Sequence, residues 1–259
     1  MSASSWTAAT RSHAGNRRRN NEDATLICDR NAIWAVADGM GGHEAGDVAS
    51  RAIADALSAE MVWDAPASTG TAGAAALEPQ PLTLAERVDW MESRLLQVDA
   101  QLQDSAREMG KGAVIGSTVV CLTVQGGTAV VLWAGDSRLY RLRNGRLEVV
   151  TRDHNPIVDQ LERGLVSEEE ALTTDTNIIT RAVGGLRPLM LDVVVFDVRP
   201  SDTLLLCTDG LYRELETWEL ADSMALPDLE VAAETLLQKV LGRAARDNVS
   251  LVVMRHAEG

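Results

Sequence analysis

The sequence predicts a layered α+β fold, on three observations. Short apolar runs of strand length come in adjacent groups. Gly126-Gly127 and Asn144-Gly145 fall beside such runs as hairpin turns. Helical patterns arrive in blocks rather than alternating one for one with strands, as a doubly wound parallel sheet would require. At 259 residues the chain has room for one large domain, and no internal repeat is visible.

In chain order, residues 1–11 read as a short N-terminal tail, and 12–256 as a single domain. Strands are expected at Thr25–Cys28 and Ala32–Ala37, then a helix over Glu44–Met61. Ala65 to Pro81 holds three of the seven prolines among Ala, Gly and Thr, and reads as a flexible loop. Thr83 and Glu86 have capping-box spacing, and Leu84, Val88, Met91, Leu95, Val98 and Leu102 recur every three or four residues. That predicts a long core-facing helix ending near Gly110. Further strands are expected at Thr118–Val124, Thr128–Ala134, Arg138–Leu142, Met190–Val198, Thr203–Thr208 and Val249–Met254. Short helices should lie between Asn155 and Arg181, and an amphipathic one over Pro227–Leu241.

Composition excludes several classes. The formal charge of −14 repels nucleic acid, and 3% aromatic content leaves few platforms for stacking bases. The longest apolar run, Ala129–Ala134, is far short of the ~20 residues a bilayer crossing needs. No basic segment followed by a hydrophobic core opens the chain, so the expectation is a cytoplasmic protein without membrane partners. Cys28, Cys121 and Cys207 form no CxxC pair and sit in or beside apolar runs, as buried reduced thiols do.

Four aspartates share a position type. Asp38 and Asp209 end apolar runs and precede glycine, Asp136 follows VVLWAG, and Asp247 directly precedes NVSLVVM. Any one could be a plain strand terminator. Four converging at the mouth of a sheet would repel one another unless cations sat between them, and all-oxygen ligands select hard divalent ions. Arg17-Arg18-Arg19, just ahead of Glu22-Asp23, could grip a phosphate by forked hydrogen bonds or be a solvated turn.

Three other patterns fail. The glycines after Asp38 miss the dinucleotide fingerprint, which needs glycine where Glu44 stands. Cys207 and Arg213 have the spacing of a cysteine phosphatase loop, but Asp209 lies inside it and opposes both a thiolate and a phosphate dianion. The four histidines show no HExxH pairing, and there is no GxSxG elbow.

The ordered segments GNRRRNNEDA (15–24), VADGMGGHEAGDVAS (36–50), GST (116–118), WAGDSRLYRLRNG (133–145), TRDHN (151–155), ITRAVGG (179–185), LLLCTDGLY (204–212) and DNVSLVV (247–253) together resemble the bacterial metal-dependent (type 2C, PPM) serine/threonine protein phosphatases. The resemblance spans nearly the whole chain. It implies a four-layer α-β-β-α sandwich, two antiparallel sheets flanked by helices, with a flap over 152–185. It implies two Mn²⁺ or Mg²⁺ ions held by Asp38, the Gly39 carbonyl, Asp209 and Asp247. Glu22 would act through a water, with Asp23 and Asn248 supporting the ligands. Asp136 would belong to a third ion site, and Arg18 would bind phosphate. A metal-activated water would then hydrolyse phosphoserine and phosphothreonine in proteins, opposing a bacterial Ser/Thr kinase, in a chain expected to be monomeric.

Two departures stand out. Met40 replaces the histidine that eukaryotic relatives are proposed to use as general acid, leaving His43 or a metal-bound water for that role. In the flap, Thr173-Thr174-Asp175-Thr176-Asn177 stands where relatives often carry a His-Pro pair before Asn-x-x-Thr-Arg. The alternatives are a phosphatase of an anti-sigma-factor antagonist, which usually carries a sensor domain, and a catalytically silent metal- or phospho-binding regulator.

Overall fold

The computed structural model describes residues 6–41, 45–61, 82–110, 112–167, 169–170 and 178–256. The strands are β1 (Trp6–His13), β2 (Asp23–Cys28), β3 (Ile33–Gly41), β4 (Ile115–Ser117), β5 (Val119–Gln125), β6 (Thr128–Ala134), β7 (Arg138–Arg143), β8 (Arg146–Val149), β9 (Asp192–Asp197), β10 (Thr203–Cys207) and β11 (Val249–His256). The helices are α1 (Ala45–Ser58), α2 (Leu84–Met109), α3 (Pro156–Glu162), α4 (Asp209–Tyr212), α5 (Thr217–Met224) and α6 (Leu229–Leu241). Among the described residues, no helix is long and apolar enough to cross a membrane.

One sheet runs β1-β11-β10-β7-β8 and the other β2-β3-β5-β6-β9, with β4 added on β3, and the strand pairs are antiparallel. Period-two alternation divides their side chains between layers. Along β3, Trp34 and Val36 enter the core between the sheets, while Ile33, Ala35 and Ala37 face α1 and α2. Along β10, Leu204 and Leu206 enter the same central core, and Leu205 and Cys207 pack under α4, α5 and α6. The result is the expected α-β-β-α sandwich.

The long helix forms where the capping box places it. The Thr83 Oγ1 accepts the Glu86 N–H at 3.3 Å, and Glu86 Oε2 accepts the Thr83 N–H at 2.8 Å. Such a cap stabilises a helix by about 1 kcal/mol. The predicted stripe is the buried one, with Met91, Leu95, Val98 and Leu102 in the core and Leu84 and Val88 packed against it. Gly126-Gly127 turns β5 into β6, and Asn144-Gly145 turns β7 into β8 with both residues at positive φ (52° and 74°), as a type I′ turn requires.

The structure corrects the N-terminal tail. Residues 6–11 lie within β1, which pairs with β11 from Trp6↔His256 to His13↔Val249. Trp6 is buried in the central core beside Trp34, ring centroids 6.5 Å apart. No local apolar run announces this strand, because its buried anchors, Trp6 in the central core and Ala9 under the helices, sit on opposite faces among polar residues. The helix expected over 44–61 is described from Ala45 and ends at Ser58, where Arg30 reaches the Ser58 carbonyl and the Asn31 Nδ2 donates to the Ala59 carbonyl at 2.9 Å. β8 and α5 were not legible either, being short and mixed in polarity. The 65–81 loop and the 173–177 departure lie outside the described residues.

Candidate active site

The acids gather at one end of the two sheets. Asp23 and Asp38 are register partners across β2 and β3, so their side chains leave the sheet on the same face. By the parity of β3 that is the face of Trp34 and Val36, toward the opposing sheet. From that opposing sheet, Asp209 follows β10 and Asp247 precedes β11. Asp136 stands between β6 and β7. Thr208 ties the sheets together here: its Oγ1 donates to Asp23 Oδ2 at 3.0 Å and accepts the Ser250 N–H at 3.0 Å.

Backbone closeness fixes Gly39 and Gly210. A Cβ on Gly39 would lie 2.2 Å from the Gly46 carbonyl oxygen, and one on Gly210 2.0 Å from that of Asn248. The first approach brings the start of α1 against the strand end that carries Asp38. The Gly39 N–H also donates to the Glu22 carbonyl at 3.1 Å, which fixes Glu22 beside it. Asn248 staples the arginine-rich loop to β11. Its Oδ1 accepts the Glu22 N–H at 2.9 Å, and its Nδ2 donates to the carbonyls of Ala14 (3.1 Å) and Asn20 (2.9 Å). Its own N–H donates to Asp247 Oδ1 at 2.9 Å.

The electrostatics follow from crowding and dryness. Burial first, then Asp209 and Asp247 nearby, push the Asp23 carboxyl up to about 7 against the pull of its hydroxyl partners. Burial, then Asp23, Asp209, Asp136 and Asp247, hold Asp38 well above the carboxylate range. Asp209 is raised by burial, with Arg213 opposing and Asp247 adding to it. Asp136 rises to about 6, again chiefly by burial and then by Asp209 and Asp153, with Arg213 opposing. The buried Oδ1 atoms of Asp23 and Asp209 accept no hydrogen bond.

Two arginines reach in. Arg18 Nη2 lies 2.9 Å from Asp247 Oδ2, with the Arg18 side chain more than half exposed. Arg213 Nε lies 2.9 Å from Asp209 Oδ2, and its Nη2 3.5 Å from Asp136 Oδ2. Among the described residues no three His, Cys, Asp or Glu side chains form a closed metal cage. The donor set still fits hard divalent ions at Asp38, Asp209 and Asp247: it is all oxygen, mutually repelling, and leaves a buried carboxylate oxygen without a partner.

The structure places Arg18, Glu22, Asp23, Asp38, Gly39, Asp209, Asp247 and Asn248 at this one end of the sheets. His43 lies outside the described residues. Asp136 also reaches this end of the sheets, but its carboxylate faces Arg213. Sequence reasoning weighed Arg213 only against Cys207; its i,i+4 spacing from Asp209 was the signal for the actual pairing. Cys207 is fully buried in the core, and burial lifts its thiol far above the usual range. A thiolate nucleophile is out of reach.

His154, also unassigned by sequence, supports the Gly135-Asp136 turn. Its Nδ1 accepts the Gly135 N–H at 3.1 Å, its Nε2 meets Asp192 Oδ2 at 3.1 Å, and its ring stacks on Trp133. Burial lowers its pKa despite Asp192, which fits a neutral ring with the proton on Nε2.

Two facing antiparallel sheets thus carry an oxygen-rich acid cluster at one mouth with an arginine at its rim. Residues 11–245 match the family described as Protein phosphatase 2C, and the chain belongs to that family. It is similar to the serine/threonine phosphatase Stp of Listeria welshimeri, at 30% identity over 95% of this chain and 94% of that protein. Among solved structures it is similar to PppA, described as a key regulatory component of T6SS in Pseudomonas aeruginosa (36% identity, TM-score 0.82, 98% of each chain). It is also similar to the catalytic domain of the phosphatase PstP in complex with two manganese ions (28% identity, TM-score 0.75, 96% of this chain and 97% of that one). The activity is that of a protein-serine/threonine phosphatase.

Proposed function

We propose that the chain hydrolyses phosphoserine and phosphothreonine with two divalent ions at Asp38, Asp209 and Asp247, in opposition to a Ser/Thr kinase. The observation that carries the ion sites is the set of crowded carboxylates whose charges repel one another, with the buried Asp209 Oδ1 left without a hydrogen bond. The two manganese ions of the related PstP structure support it. Mn²⁺ or Mg²⁺ bound there supplies Lewis acidity, making water a nucleophile near neutral pH and drawing charge from phosphoryl oxygens.

The chain's own residues do the rest. Asp38, the Gly39 carbonyl, Asp209 and Asp247 hold the ions, and Glu22 contributes through a water. Asp23, fixed by Thr208, and Asn248, which anchors Glu22 and Asp247, keep those ligands in place. Arg18, anchored on Asp247 yet largely exposed, turns a planar fork of N–H donors toward the mouth, where a phosphate dianion would be gripped. The absence of side chains at Gly39 and Gly210 lets the backbones close around the acids.

The test is hydrolysis of a phosphothreonine peptide and of p-nitrophenyl phosphate, with Mn²⁺ or with excess chelator, by wild type and Asp209→Asn. Metal-dependent turnover that Asp209→Asn loses supports the reading. Turnover that survives both the chelator and the substitution overturns it.

A further inference from the structure

We propose that Arg213 is a built-in cation standing where a third metal ion would bridge Asp136 and Asp209, so that this chain works with two ions and not three. The proposal rests on the two-ion reading only for the role of the second oxygen of Asp209. Its own ground is geometry.

Asp136 and Asp209 come from different parts of the chain and are brought together because β7 and β10 pair with Arg138 opposite Cys207. A single guanidinium spans them, with Nε 2.9 Å from Asp209 Oδ2 and Nη2 3.5 Å from Asp136 Oδ2. The reach comes from the helical turn of α4, which sets Arg213 one turn beyond Asp209 and on the same side. That turn is held from its other flank as well. The Tyr212 hydroxyl donates to the Asp136 carbonyl at 3.0 Å, and the Arg138 guanidinium lies 3.7 Å from the centre of the Tyr212 ring. Arg138 is itself clamped by both oxygens of Asp153 at 2.8 Å each.

The third ion implied for Asp136 does not fit this arrangement. An ion on the same two oxygens would share a poorly solvated gap with a permanent positive charge, since the Asp136 side chain is 7% exposed and that of Asp209 16%. Asp209 instead divides its oxygens. Oδ2 goes to Arg213, and the buried Oδ1 is left without a hydrogen bond for the catalytic ions. Arg213 is thus a positioning residue: it neutralises Asp136 and fixes the side chain of an ion ligand at no cost in metal.

The measurement is ion stoichiometry, read by equilibrium dialysis against millimolar Mn²⁺ with elemental analysis, alongside circular dichroism. Wild type is expected to hold two Mn²⁺ per chain, and Arg213→Ala three. The double variant Arg213→Ala/Asp136→Asn should return to two. Arg213→Lys, whose single nitrogen cannot span both carboxylates, should show the third ion at higher Mn²⁺, and it serves if Arg213→Ala does not fold. A wild type holding three ions, one of them lost in Asp136→Asn, overturns the proposal. So does an arginine variant that gains no ion over wild type. A wild type holding none overturns the two-ion reading, while the Arg213 proposal is still decided by the gain or its absence.

Discussion

Strands β7 and β10 carry buried acids at both ends, and the two ends handle them in opposite ways. At one end Asp202 is fully buried, but Arg143 meets both its oxygens, at 2.7 and 2.6 Å, and the Arg199 N–H adds a third bond at 2.9 Å. Arg143 also reaches Asp197 on β9, so this end fastens one sheet to the other. At the other end Asp23 and Asp136 are buried and Asp38 and Asp209 half-buried, with fewer cations than carboxylates, and all four have raised pKa values. The difference teaches how to read a buried charge. One matched by a partner of the same chain belongs to the fold, and one left unmatched marks chemistry supplied from outside.

If that is right, the two ends respond oppositely to loss of an acid. Asp38→Asn should cut metal-dependent phosphatase turnover by about 10³-fold, the scale of a lost electrostatic contributor. It should also raise the melting temperature of the ion-free protein, because one repelling charge is gone. Loss of both activity and ion-free stability would break the comparison. Asp202→Ala should do the reverse: it removes a buried carboxylate that accepts from Arg143 and from the Arg199 N–H, at a cost of about 2 kcal/mol in urea unfolding, with Arg143 left to Asp197 alone. Its turnover under native conditions should match wild type, and a matching fall in kcat would put Asp202 in the site.

The pH dependence sharpens the contrast. Folding raises Asp23 to about 7 and Asp136 to about 6 from an ordinary 3.8, so between those values the folded chain binds more protons than the unfolded one. With chelator present, stability should therefore fall as pH rises from about 4 to 7, lowering the melting temperature by several degrees. Carboxylates held down by arginines, such as Asp197 beside Arg143, act in the opposite sense but below that window. Mn²⁺ should raise the melting temperature more at pH 7.5 than at pH 5, and an equal rise at both would contradict the charge-repulsion account. The smallest effect is expected from Cys207→Ser: turnover within about twofold of wild type, since the thiol is buried on the helix-facing side of β10, beneath α4. A large loss would reopen a cysteine mechanism.

Much of this was written locally. The capping box at Thr83, the alternation of β3 and β10, the turns at 126–127 and 144–145, and the aspartates at strand ends are patterns over a few residues, and the fold obeys them. An edge strand such as β1 has no comparable signal, because Trp6 and Ala9 become core only when β11 lies beside them, some 240 residues away. The same holds inside the site. The residue types and their order singled out the acids and Arg18. Only the folded chain decided that Thr208 holds Asp23 across 185 residues, that Arg18 leans on Asp247 across 229, and that Arg213 stands against Asp136 across 77. Spacing along a chain encodes which face of a strand or helix a side chain takes, whereas a charge is set by whatever neighbours and water surround it after the layers close.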